Sequence, residues 1–210
     1  MMQSRWSMPG NPWPRDMVIR VNDDPHHLTL LLFVRAAWSL AKDLDIPPLD
    51  PRPDCGHSRM PESADSATWD ERWRTSWKQA WDWYEIEDPS HHASPAEMRG
   101  FANNSQALNP FVPPFWTQQH EWEGLDREAY QAWDRSLIPR RPQDVERQSL
   151  KELVPAWKSG IDTVIVLPYA GYFAHRLSRR HLVVSAAVRN SRELYSRALQ
   201  ENTDWTETGN

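Results

Sequence analysis

The sequence predicts an α+β fold, mostly helical, with a small sheet made by an N-terminal strand and two or three C-terminal strands. Three observations carry this. A short β-branched stretch, Met17–Val21, precedes a long run of helical patterns. Two continuous apolar runs, Thr163–Leu167 and His181–Val188, follow that run. A helical pattern then closes the chain. Strands separated by a block of helices suit α+β better than a regular alternation would.

The 210 residues are expected to form a single domain, 1–210, with an irregular arm at 1–16, a proline-rich loop at 45–66 and a flexible tail at 201–210. Leu, Ile, Val and Phe number only 39, near the level at which chains fail to fold. The 13 Trp residues and a net charge of only −5 argue for a folded chain. Each buried aromatic removes on the order of 150–250 Å² from water.

The arm holds Pro9, Pro12 and Pro14. Ile19 centres the first strand. Asp24 is placed to cap a helix with Pro25 at its first position, where a missing N–H costs nothing. That helix is expected to run to about Leu44 and to be buried on most faces. The 45–66 segment reads as an irregular surface loop. Thr68-Trp-Asp-Glu71 has the capping-box pattern and starts the next helix. On it, Trp69, Trp73, Trp77, Ala80, Trp81 and Tyr84 fall within an arc of about 120°. This stripe reads as core. The competing reading is a stacking platform for sugars or bases, which is more often built from loops or sheet faces.

A second capping-box pattern, Ser94–Glu97, predicts a short helix to about Ala107. Pro110, Pro113 and Pro114 exclude regular helix from Asn109 to Gly124. Asp126 is placed to cap a helix carrying Tyr130, Trp133 and Leu137. Residues 143–159 predict another helix, kinked or shortened by Pro155 and closed by Gly160. Tyr172–Ser178 reads as strand or helical turn. Asn190–Gln200 is the last helix, with Glu193 three residues after its cap.

The composition excludes several classes. Cys55 is the only cysteine, so no internal disulfide and no cysteine-rich zinc site forms. The pairs His26-His27 and His91-His92 diverge by about 100° on a helix, unlike the i, i+4 pairs that share a metal. They read as surface histidines, and no metal and no cofactor is expected. Cys55-Gly-His57 lies in a proline-rich loop, too loose a frame for a nucleophile. Met1–Arg15 lacks a signal-peptide core, and the longest apolar stretch, Leu28–Ala41, is too short for a membrane span. A cytoplasmic protein with no membrane partner is expected. Glycine-rich phosphate loops, the serine nucleophile elbow and kinase signatures are missing.

Charge is unevenly placed. From Tyr169 to Gln200 six arginines face one acid, Glu193. Arg176, Arg179, Arg180 and Arg189 are candidate anion-binding residues, and so is Arg35, the sole charge between His27 and Lys42. Each has a structural alternative: internal pairing with the acidic remainder of the chain, or a stem that carries the charge out to water. Phe111, Phe115 and Trp116, in a proline-rich loop, are aromatic contact candidates. The leading expectation is a non-enzymatic interaction protein, an adaptor, inhibitor or immunity-type module, with a protein partner. A nucleic-acid- or nucleotide-binding protein using the basic segment 169–197 comes second. An enzyme without a local motif comes third, its catalytic residues unknown.

Overall fold

The computed structural model describes residues 13–85, 115–138 and 144–204. Most of the 1–16 arm, the expected Ser94–Ala107 helix, Phe111 and the end of the tail lie outside them. The chain divides into two compact units. One, the sheet unit, takes in Met1–Pro25, Pro47–Arg52 and Ser136–Asn210. The other, the tryptophan unit, takes in His26–Ile46 and Pro53–Arg135.

The sheet unit holds the expected strands. They are β1 (Arg20–Asn22), β2 (Thr163–Leu167), β3 (Ala174–Arg176) and β4 (His181–Ser185), in the order β1-β2-β4-β3. β1, β2 and β4 run parallel, and β3 pairs antiparallel with β4. β2 and β4 read as unbroken apolar runs because parallel strands are covered on both faces. β1 begins three residues later than the sequence suggests. Met17 and Ile19 instead enter the core, together with Leu153, Val164, Leu182, Val184, Val188 and Tyr195. The end of the N-terminal arm joins them: Trp13 is buried and its indole N–H donates to the Met17 carbonyl at 2.8 Å.

Four helices complete this unit: Val145–Gln148, Leu150–Lys158, Ala186–Arg189 and Arg192–Glu201. The single helix expected over 143–159 is broken at Ser149. Pro155 neither ends nor starts a break, and the helix runs on to Lys158. Gly160 then takes a φ of +113°, and a side chain there would collide with Arg179. The strand expected to reach Val188 stops at Ser185. Its hydroxyl caps Ala186–Arg189 by accepting from the Val188 N–H at 3.2 Å. Ser191, not Asn190, caps the last helix. The tail is tied down at its start: the helix reaches Glu201, and the Thr203 hydroxyl donates to the Leu199 carbonyl.

The tryptophan unit is built on helix His26–Trp38 and helix Ser66–Glu85. The first ends six residues short of Leu44. Ser39 takes a φ of +56°, and the Leu40 N–H reaches back to the Arg35 carbonyl, closing the helix with a left-handed residue. The freed Ala41 N–H donates to Asp70 of the second helix at 2.5 Å. The second helix starts two residues before Thr68. Asp65 is its cap, accepting from the Thr68 N–H at 2.8 Å, so the Thr68–Glu71 capping box does not form the start. Helix Trp116–His120 corrects the exclusion of helix from Asn109 to Gly124, since it starts beyond Pro114, the last of the three prolines. Helix Arg127–Leu137 follows, capped as expected by Asp126.

The 45–66 segment is irregular and pinned. Pro48 and Asp50 exchange backbone bonds with Ala170 and Pro168 inside the sheet unit. Arg59 donates to the Gly124 carbonyl inside the tryptophan unit. Among the described residues no helix is long and apolar enough to cross a membrane.

Candidate functional site

The basic segment comes first because it was the sharpest chemical expectation. Arg176 stands on β3 and is only 6% exposed. Its guanidinium donates to the carbonyls of Ser159, Ser178, Arg179, Asn202 and Thr203 and to the Ser159 hydroxyl, at 2.7–3.4 Å. Ser159 closes helix Leu150–Lys158, and Asn202 and Thr203 follow helix Arg192–Glu201. The charge therefore sits on the carbonyl-rich ends of two helices, where the helix dipole is negative. Burial pulls the guanidinium below its usual range, and neighbouring Arg179 adds to the effect.

Arg180 lies at the entrance to β4 and pairs with Asp162 at the entrance to β2, N–O 2.7 Å. Arg189 pairs with Glu146 through both carboxylate oxygens at 2.9 Å. Of the four C-terminal candidates only Arg179 is exposed. Arg180 and Arg189 are thus paired with acids and Arg176 with carbonyls, while Arg179 faces solvent. Arg35 is similar within the tryptophan unit: half-buried, it donates to the Ala41 carbonyl at 3.4 Å, and its charge helps hold Asp43 ionised.

Sequence reasoning missed the group around Glu146. The carboxyl is 2% exposed, and Tyr195, fully buried, faces it. Burial pushes the Glu146 carboxyl up, with the Arg189 charge only partly opposing. Burial also drives the Tyr195 phenol up, and the Glu146 charge adds to this. Ser196 donates to Ser149 at 3.0 Å beside the group. The separation of 43 positions between Glu146 and Arg189 leaves no local signal for this pairing.

The tryptophan unit presents a different kind of surface. Trp69 and Trp73 are buried, as the stripe predicts, and so are Ala80 and Tyr84. Trp77 and Trp81 are half-exposed. Trp73 stacks on Trp77 with centroids 5.2 Å apart, and Trp77 meets Trp81 edge-on at 5.4 Å. Trp81 continues to Tyr84, and Tyr84 to half-exposed Trp83 at 5.0 Å. The array ends at half-exposed Phe115, linked to Trp83 and Tyr84 through His27. Of the aromatic contact candidates, Phe115 belongs to this array. Trp116 does not: it is 1% exposed, packed against Trp38, Trp69 and His120. A proline-rich approach says nothing of where a large indole ends, and its apolar area draws it inward.

His27 corrects the reading of His26-His27 as a surface pair. His26 is exposed and lies 3.4 Å from Asp134. His27 is 4% exposed, boxed by Trp83, Tyr84 and Phe115 at 5.4–6.2 Å. Its Nε2 has no hydrogen-bond partner among the described residues. Burial, with a smaller contribution from the charge of His26, lowers its pKa to about 4. Aromatic faces attract a cation by about 0.5–2 kcal/mol, less than the several kcal/mol that desolvating an ion costs. The spacing His27, Leu28, Leu31, Val34 places His27 on the apolar face and is the signal that adjacency obscured.

Cys55 is half-buried, and the backbone N–H of His57 donates to Asp126 at 3.0 Å. The turn serves to cap a helix. No family model, no curated protein and no solved structure matches this chain.

Proposed function

We propose that this chain is a non-enzymatic interaction protein, an adaptor, inhibitor or immunity-type module, which meets a protein partner through the aromatic array of its tryptophan unit. The observation that carries the reading is the pair of half-buried indoles Trp77 and Trp81, in edge-on contact and braced by buried Trp73 and Tyr84, with half-buried Trp83 and Phe115 reached through Tyr84 and His27. Tryptophan and tyrosine dominate binding hot spots because rigid aromatic area is desolvated with little loss of side-chain freedom. Bracing from behind lowers that loss further. The nucleic-acid alternative is weakened by the internal engagement of Arg176, Arg180 and Arg189.

The test uses the intact chain as bait in an extract of its source cells. The recovered partner is purified and its affinity measured against the double variant Trp77→Ala, Trp81→Ala. The expected result is one specific protein, bound with little salt dependence and weakened by ~30-fold or more in the double variant. Recovery of nucleic acid that releases between low and moderate salt would favour the alternative instead.

A further inference from the structure

We propose that His27 is an acid-triggered release: its protonation frees the C-terminal end of helix Ser66–Glu85 from the first turn of helix His26–Trp38. The geometry carries this. The imidazole is buried at the second position of its helix, where the exposed N–H groups repel a cation. It is the element that the last turn of the tryptophan helix packs on, through Trp83 and Tyr84. Phe115 closes the box from a third segment.

The titratable groups facing it are Tyr84 from the tryptophan helix and His26 from its own. Among the described residues the Phe115 side contributes only a phenyl ring. Among the described residues no carboxylate is in contact to receive an imidazolium, and Nε2 has no acceptor to donate to. A proton on His27 gains solvation when the box opens. The depressed pKa agrees with that. The rings that part, Trp83, Tyr84 and Phe115, are those at the end of the half-buried aromatic array. The device does not depend on any partner.

The experiment follows the full chain from about pH 7.5 to about pH 2.5 by near-ultraviolet circular dichroism, tryptophan emission and ring NMR of His27. Expected is a loss of aromatic dichroism and a red-shifted emission, in step with His27 protonation and well below the ordinary imidazole range. The variant His27→Phe, which keeps a ring in the box, should hold both signals to a pH lower by about one unit or more. His26→Gln should leave the transition where it is. An unmoved transition in His27→Phe would overturn the proposal. Should that variant not fold, the intact chain decides alone. If His27 titrates without change at the Trp83 indole N–H resonance, the box does not open, and the proposal fails.

Discussion

The two units solve the problem of burying polar groups in opposite ways. The sheet unit has an aliphatic centre, Ile161, Val164, Val166, Leu182, Val184 and Leu199, and places ions in it or beside it. Arg176 gathers five backbone carbonyls, and Glu146 with Arg189 joins one helix to another. The tryptophan unit carries its polar handles on the apolar side chains themselves. Trp73 donates to the Leu31 carbonyl at 2.7 Å, Trp69 to Pro61 at 3.1 Å and Trp38 to Gly124 at 3.3 Å. One indole supplies both apolar area and a backbone hydrogen bond, so chain segments are fastened without burying charge. The difference teaches what each unit is sensitive to: the first to loss of a charge, the second to loss of a ring or gain of a charge.

The largest expected effect tests the second half of that statement. Trp73→Ala should destabilise by about 3–5 kcal/mol, since it removes a fully buried ring and leaves the Leu31 carbonyl unpaired. Trp77→Ala, half-exposed and stacked on one face only, should cost roughly 1–2 kcal/mol in the same urea titration. Equal costs would show that the outer rings are core as well, and would remove the basis for an exposed array. In the sheet unit, Arg176→Met keeps the stem and removes the charge. Five carbonyl oxygens lose their donor, and a cost of about 3 kcal/mol is expected. A near-neutral result would mean that water replaces the guanidinium without loss, as it does for surface arginines.

Acid should act on the two units with opposite sign. The folded pKa of His27, about 4, lies below its ordinary value of 6.5. Between those values the unfolded chain binds the extra proton. Stability that is fully present above pH 6.5 is therefore lost as pH falls toward 4, by roughly 3 kcal/mol in total. Glu146 is shifted the other way, upward by burial. Its native state takes the proton first, so falling pH favours the fold at that group. Urea titrations across this range should show net loss in the intact chain and a smaller loss, or none, in His27→Phe. Asp43, Asp65, Asp70 and Asp126 are held below the usual carboxylate range by hydrogen bonds, so their contribution declines as pH falls through that range. That decline is common to the intact chain and His27→Phe and cancels in the comparison.

How much of this was legible depended on whether the signal was local. The β2 run, the Asp126 cap and the tryptophan stripe are written in consecutive residues or in a 3.6-residue period, and all three are found. Helix ends were harder. Asp65 outcompetes Thr68 as a cap because the helix starts one residue after it, a choice that nothing in the Thr68–Glu71 spacing reveals. Ser39 ends its helix in a left-handed conformation that a non-glycine residue rarely announces. The Glu146–Arg189–Tyr195 group joins residues far apart in the chain, and no spacing rule reaches that distance. The arginine excess at 169–197 was visible, but whether a charge faces water or a carbonyl is a property of the packed fold.

The smallest expected effects concern that excess, and they decide what remains of an anionic partner. Arg180→Ala removes one half of a partly exposed pair with Asp162 and should cost about 0.5–1 kcal/mol. Arg179→Ala should fall within about 0.5 kcal/mol, because its side chain is exposed and its carbonyl, which Arg176 uses, is retained. The double variant should therefore lose stability by little more than Arg180→Ala alone, with no change in affinity for a single-stranded oligonucleotide. A nucleic-acid interface would behave otherwise: each lost phosphate contact lowers affinity and flattens its dependence on salt. Arg176, Arg180 and Arg189 are engaged inside the fold, so a steep salt slope in the intact chain would place the interface on other residues, the exposed Arg179, Arg192 and Arg197 of the same segment among them.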